Sequence, residues 1–163
     1  MARIIHSTGV TFGVTPSPIE KSVEYSAGVQ CPEGLPALYD KTGHFVEIVN
    51  HWLLDLKTVS RLVDINTAAK AMLRYWRFLE RGNLEWDHFP PVNRLKPTYR
   101  FRSEDLLSAA REGKMAFSTA NSCIGQVVRF YIWAIENHHL VISSENEAPF
   151  KLEFVARQNN GML

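Results

Sequence analysis

The chain has 163 residues, of which 45% are hydrophobic and 21% charged, and its formal net charge is +1. These values indicate an ordinary soluble globular protein with one main domain and room for a small appendage. No apolar run approaches the roughly 20 residues of a membrane span, and the N-terminus lacks the apolar region of a secretion signal. We therefore expect a cytoplasmic protein without membrane contact.

The small net charge conceals an uneven distribution of charged residues. Residues 67–129 contain 11 Lys or Arg against 6 Asp or Glu, whereas the rest of the chain contains 7 against 11. A basic middle of this kind can form a surface for a polyanion. The two cysteines, Cys31 and Cys123, show neither metal-ligand spacing nor a disulfide framework, so we expect ordinary thiols.

The N-terminal third predicts extended structure. Frequent Gly and Pro in residues 1–34 allow strands or arm segments but no long helix. Residues 35–46 predict a β-hairpin, because the Asp-Lys-Thr-Gly sequence at 40–43 supplies turn chemistry between two apolar strands. Residues 1–45 are therefore assigned to an arm and a hairpin.

Two amphipathic helices follow. The first is predicted at residues 46–59, with Trp52 on its inner stripe and Asn50 outside. The second starts at an N-cap among residues 64–67 and continues to Arg81, where Gly82 should stop it.

The second helix carries a row of cations that we call the ladder. The ladder residues fall within about 60° of the helix circumference; they are Lys70, Arg74, Arg77 and Arg81. Only Glu80 is acidic in this helix, so the ladder has almost no intrahelical partner. Phosphate contact and a simply solvated face both remain open.

A second basic cluster is predicted on a loop at residues 83–102, which Pro90, Pro91 and Pro97 interrupt. Aromatic residues interleave with its cations, which are Arg94, Lys96, Arg100 and Arg102. Such a mixture suits phosphate clamping, although a charged surface loop has the same composition. Residues 103–105 should then cap a short third helix that ends near Arg111.

The last helix is predicted at residues 118–137, with Ser118 or Thr119 as its N-cap. Opposite its apolar sector is a polar face that could meet phosphates and base edges or could simply be wet; its residues are Ser118, Thr119, Ser122, Gln126 and Arg129. His138 and His139 are expected at the surface. The polar residues 143–163 predict a linker.

The sequence contains no phosphate-binding loop, dinucleotide-binding turn, serine elbow or zinc motif. We therefore predict no catalytic residue, no cofactor and no metal site. The pattern favours a binding module.

Two stretches carry a family resemblance. Thr67, Ala71, Tyr75 and the Phe78-Leu79 pair follow the spacing of the second helix in the core-binding domain of tyrosine recombinases, the phage integrase family. Residues 117–121 and 128–134 resemble that domain's last long helix. The match covers residues 46–137, and Ala71 departs from it because the family commonly has Tyr there.

The resemblance implies a mainly α fold, a four-helix bundle of the integrase core-binding (SAM-like) type spanning residues 46–142. It implies one half of a clamp on double-stranded DNA at a recombination site, joined by the linker to a catalytic domain outside this chain. The chain itself would then not be an enzyme, whereas its parent would form a 3'-phosphotyrosyl DNA intermediate. The partners would be DNA and other recombinase protomers in a tetramer, with the isolated fragment a monomer or weak dimer.

Under this interpretation, two groups of residues would contact DNA. Those expected mainly at phosphates are Lys70, Arg74, Arg77, Arg94, Lys96, Arg100 and Arg102. Those on the polar face of the last helix, Ser118, Thr119, Ser122, Gln126 and Arg129, would read bases, and Thr67 would lie beside the ladder. The hypothesis requires the ladder and the hydroxyl-rich face to share one concave surface.

The alternative is a helical protein-interaction or oligomerisation domain without DNA affinity. Its acidic ends and exposed aromatic residues, such as Trp133, would dock another protein or another copy of the chain.

Overall fold

The structure is a computed structural model that describes residues 1–6, 34–61 and 65–150. It is mainly helical with a small two-stranded sheet, as the sequence predicts at that level. The strands are β1 (Arg3–His6) and β2 (Pro36–Tyr39), and three of the helices are α1 (Glu47–Thr58), α2 (Asn66–Gly82) and α4 (Phe117–Glu136). Helix α3, residues 97–111, joins the α-helical turn Pro97–Arg100, the π-helical stretch Phe101–Leu107 and the α-helical turn Ser108–Arg111.

The turn of the predicted hairpin is present, but its second strand is not. The Asp40 carboxylate accepts hydrogen bonds from the backbone N–H groups of Thr42 and His44, at 2.8 and 3.0 Å. The returning chain makes only the single bridge Tyr39↔Phe45 before α1 begins. The partner of β2 is instead β1, which pairs with it antiparallel. The rest of the predicted arm, residues 7–33, lies outside the described residues.

Helix α1 has nearly its predicted bounds, but Asn50 faces inward, contrary to the prediction. The Asn50 amide donates to the Leu38 carbonyl at 2.9 Å and accepts from the Leu38 N–H at 2.7 Å. Asn50 therefore hydrogen-bonds both backbone groups of Leu38 and joins α1 to β2. Helix α2 ends at Gly82, one residue later than predicted, and its C-cap is Asn83, which adopts the left-handed conformation with φ 50°.

Helix α3 begins at Pro97, six residues before the predicted start. Proline suits the first position of a helix, because its missing N–H would have no intrahelical partner there. Phe101 and Leu106 are fully buried and fix this helix to the core. Arg100 and Arg102 are therefore helical, and residues 103–105 do not form an N-cap.

Helix α4 packs along α2 at the centre of the molecule. It begins at Phe117 with Ala116 at the N-cap, so neither Ser118 nor Thr119 has the predicted capping role. Its predicted inner sector forms much of the core, with Val127, Tyr131 and Ala134 fully buried.

Part of the segment predicted as a linker packs on the body of the protein. Residues 148–150 are buried. The hydroxyl of Thr98 donates to the Pro149 carbonyl, and the Lys96 amine donates to the Ala148 carbonyl at 2.6 Å. Residues 151–163 lie outside the described residues, so the predicted linker can be assessed only up to Phe150.

Candidate nucleic-acid groove

The ladder of α2 and part of the polar face of α4 line one groove of about 480 Å³, which we call the basic groove. Its polar lining is Thr67, Lys70, Arg74, Arg77 and Arg81 from α2, Asp105 from α3, and Thr119 and Ser122 from α4. Met1 and Met115 also line it. The two surfaces that the DNA hypothesis needs on one concave face are thus adjacent.

Asp105 is the acidic residue of the basic groove that sequence reasoning missed. Its carboxylate accepts two hydrogen bonds from Arg74, Nε to Oδ2 at 2.7 Å and Nη2 to Oδ1 at 3.2 Å. Arg81 lies farther away, with Nη2 at 3.7 Å from Oδ1. The ladder indeed forms few ion pairs within α2, but Asp105 of α3 pairs with two of its arginines. No local sequence signal reveals a contact across 31 residues.

The N-terminal residues lie against the basic groove, which Met1 lines. Arg77 donates from Nε to the Ala2 carbonyl at 2.9 Å. Glu80 accepts from the N–H groups of Ala2 and Lys41, each at 2.6 Å, and so ties β1 and the hairpin turn to α2. The guanidinium of Arg77 is therefore held in place by backbone.

Lys70 differs from the three arginines of the ladder. Its side chain is exposed, and it forms no ion pair with any residue that the structure describes. The basic groove thus combines one unpaired ammonium group with guanidinium groups that the protein already orients.

Cys123 lines the basic groove but is mostly buried. Burial raises the pKa of its thiol to about 11, with Arg74 opposing the shift and Asp105 adding to it. The thiol is therefore protonated at neutral pH and is a poor nucleophile. Cys31 lies outside the described residues.

Three predicted contact residues of α4 do not line the basic groove. Ser118 and Arg129 are exposed, and Gln126 is partly buried. The face predicted as one surface is therefore divided, with Thr119 and Ser122 facing the ladder.

The second basic cluster is dispersed. Arg94 is exposed on the 3-10 turn Asn93–Leu95. Arg100 pairs with Glu104, with Nε 3.2 Å from Oε2. Arg102 lines a different cavity of about 320 Å³, together with the apolar side chains of Ile124 and Val128. These cations do not form the continuous clamp that their sequence spacing suggests.

Lys96 is buried, contrary to the surface position that its predicted phosphate contact requires. Only 1% of the residue is exposed, and its amine donates to the Ala148 carbonyl. Burial lowers the pKa of this amine. The nearest sequence signal is Pro97, which starts α3 and restricts the backbone of the preceding residue to the extended conformation that Lys96 adopts.

Trp133 is also not the free aromatic surface that the alternative hypothesis used. Its indole N–H donates to Asp55 Oδ2 at 2.9 Å, which joins α4 to α1. The indole ring stacks on His139, with centroids 4.9 Å apart and an angle of 27° between the planes. His139 and His138 are exposed, as predicted.

Two properties of the described residues bear on other functions. No group of three or more His, Cys, Asp or Glu side chains there has an arrangement that could hold a metal ion. Within the same residues, no helix has both the length and the hydrophobicity needed to cross a membrane.

Comparison with protein-family models, with curated proteins and with solved structures found no match to this chain. The expectation of a tyrosine recombinase core-binding domain therefore rests on the sequence resemblance of residues 46–137 alone.

Proposed function

We propose that this chain binds duplex DNA through the basic groove, as the core-binding part of a tyrosine recombinase whose catalytic residues belong to a separate domain. The observation that supports this most directly is the placement of the ladder opposite Thr119 and Ser122 across one groove. Cations that hold phosphates and hydroxyls that reach base edges are the two classes of contact that protein–DNA interfaces combine.

The dimensions of the ladder fit a DNA strand. From Lys70 to Arg81 the helix rises about 16 Å, at 1.5 Å per residue. Measured along the duplex axis, successive phosphates of one strand are about 3.4 Å apart, so this length of axis includes about five of them. Because the strand winds around that axis whereas α2 is straight, only the phosphates nearest α2 can contact the ladder.

In this proposal the chain supplies binding and no chemistry. Tyr75 and Tyr131 are fully buried and hydrogen-bonded to each other at 2.6 Å, so neither is placed to attack a phosphodiester. Integration and recombination would be activities of the parent protein, assembled with other protomers on DNA.

Anisotropy titration of labelled random-sequence duplexes at low salt tests the proposal. Lys70→Gln should weaken binding roughly three- to tenfold, because it removes one phosphate contact. Lys41→Gln is the matched control, since Lys41 lies on the hairpin turn at another cavity. The duplex affinity of the Lys41→Gln variant should stay within twofold of that of the unmodified chain.

No duplex binding at low ionic strength, or equal losses in both variants, would contradict the proposal. Light scattering on the same samples separates it from the protein-interaction hypothesis. A stable concentration-dependent oligomer without DNA affinity would favour that hypothesis instead.

A further inference from the structure

Arg74 is held by Asp105 along one edge only. The two hydrogen bonds to the carboxylate use Nε and Nη2 and leave the rest of the guanidinium unoccupied by it. A guanidinium has five N–H donors in a planar fork, so three remain, including the pair at the end formed by Nη1 and Nη2. Arg74 lines the basic groove and its side chain is 38% exposed, so these donors are accessible to a ligand.

Asp105 makes Arg74 a poor phosphate contact. A phosphate that approached the free donors of Arg74 would meet the negative charge of a carboxylate that is only 15% exposed and therefore weakly screened. A neutral base edge meets no such repulsion. Lys70 has no carboxylate partner among the described residues and suits phosphate far better.

A fixed guanidinium is also prepared for base recognition. Bidentate hydrogen bonding of arginine to the O6 and N7 atoms of guanine is the commonest specific contact in the major groove. The contact requires the planar fork in one orientation, and a side chain already held by a carboxylate loses little freedom on binding. Thr119 and Ser122, across the same groove, would be close enough to contact neighbouring bases.

We infer that Arg74 reads a guanine in the major groove and that Asp105 is the positioning residue that orients it. This inference rests on the proposed DNA binding and extends it from phosphate contact to sequence recognition. It reverses the expectation, drawn from the ladder alone, that Arg74 contacts phosphate.

The test starts with selection of bound sequences from a randomised duplex library by the full chain. Discrimination is then measured as the ratio of Kd for a scrambled duplex to Kd for the selected duplex. Asp105→Asn keeps the shape of the side chain but replaces one accepting oxygen with an N–H donor, which cannot face Arg74. Glu104→Gln is the matched control, because it removes the same charge from the same helix while its partner is Arg100.

The expected result is a selected site that contains guanine. In Asp105→Asn, discrimination should fall about tenfold, as for loss of one bidentate base contact. Affinity for the scrambled duplex should stay equal or become tighter, because a negative charge has left the groove. Glu104→Gln should keep the discrimination of the unmodified chain within twofold.

Arg74→Lys provides a second variant that does not depend on Asp105→Asn remaining folded, which circular dichroism would check. It keeps the positive charge but loses the fork, so discrimination should fall while affinity for the scrambled duplex is kept. Unchanged discrimination in either folded variant, or a selected site without guanine, would overturn the inference and leave the proposed DNA binding intact. Failure of the unmodified chain to bind any duplex would overturn both.

Discussion

Two tyrosine hydroxyls meet in the core between α2 and α4, and their hydrogen bonds have a defined direction. Tyr131 donates to the Trp86 carbonyl at 2.6 Å, so its single hydroxyl hydrogen is committed there. Tyr75, whose hydroxyl lies 2.6 Å from that of Tyr131, must then be the donor between the two. Tyr131 is the central member of this relay, and Tyr75 is its end.

The direction of the relay predicts unequal effects of removing the two hydroxyls. Tyr131→Phe leaves the Tyr75 hydroxyl without an acceptor and the Trp86 carbonyl without a donor. We expect it to lower the free energy of unfolding by about 2–3 kcal/mol, against about 1 kcal/mol for Tyr75→Phe. Urea denaturation of both variants measures the difference, and a larger loss in Tyr75→Phe would show that the relay runs the other way.

The same two tyrosines predict a loss of stability in alkaline solution. Burial raises the pKa of Tyr75 and also that of Tyr131. In the unfolded chain both lose their protons near pH 10, whereas in the folded chain they keep them. The unfolded state then binds fewer protons, so the free energy of unfolding falls as pH rises above about 10.

Urea titrations between pH 8 and 11 check this alkaline prediction. The decline should be shallower in Tyr75→Phe, which has one such group fewer. Cys123, whose pKa burial raises to about 11, adds a loss that begins near pH 9, so the comparison is made in a Cys123→Ala background. Stability that stays level from pH 9 to 11 would contradict the assignment.

At the scale of helices and strands, periodicity predicted α1, α2 and α4 well, because each buries one apolar stripe against the others. The early start of α3 was missed because Pro97 was taken as a breaker when it is the first residue of the helix. The partner of β2 was missed because Arg3–His6 is distant in sequence. Contacts between residues that are distant in sequence, such as that of Asp105 with Arg74, cannot be predicted from local spacing.

The contact between α3 and the C-terminal segment gives a prediction for Lys96. Lys96→Met keeps the length of the side chain but removes the donor to the Ala148 carbonyl. We expect faster amide hydrogen exchange at Ala148 and Phe150, because the segment loses the hydrogen bond from Lys96 and keeps the one from Thr98. Duplex affinity should not change, because a buried amine contacts no phosphate.

Arg94→Met is the matched control for Lys96, since Arg94 lies two residues earlier and is exposed. It removes the same charge and should leave exchange at residues 148–150 unaltered. A loss of duplex affinity in Lys96→Met with unaltered exchange would mean that Lys96 leaves its buried position to bind DNA.

Considered as a whole, the molecule gathers the ladder into one groove and disperses the other cations of the basic middle. The basic groove concentrates the ladder, whereas Arg94, Arg100 and Arg102 lie outside the lining of that groove. The sequence suggested a single basic region, because every Lys and Arg at residues 67–129 adds to the net charge whichever way its side chain faces. The structure therefore raises a question that composition could not pose, namely whether DNA contacts the basic groove alone or the dispersed cations as well.

The salt dependence of duplex binding answers this question. If only the basic groove binds, Lys70, Arg77 and Arg81 contact phosphates, and the slope of log K against log salt should be roughly −3, at about −0.9 per phosphate. If Arg94, Arg100 and Arg102 also bind, the number of contacts doubles and the slope should be roughly −5. We expect the smaller value, because Arg100 is paired with Glu104 and Arg102 lines a largely apolar cavity.

Anisotropy titrations between 50 and 200 mM salt, a range over which counterion release changes affinity strongly, distinguish the two slopes. Lys70→Gln should then reduce the slope by about one and Arg94→Gln should not, whereas a slope near zero would exclude phosphate binding by either surface.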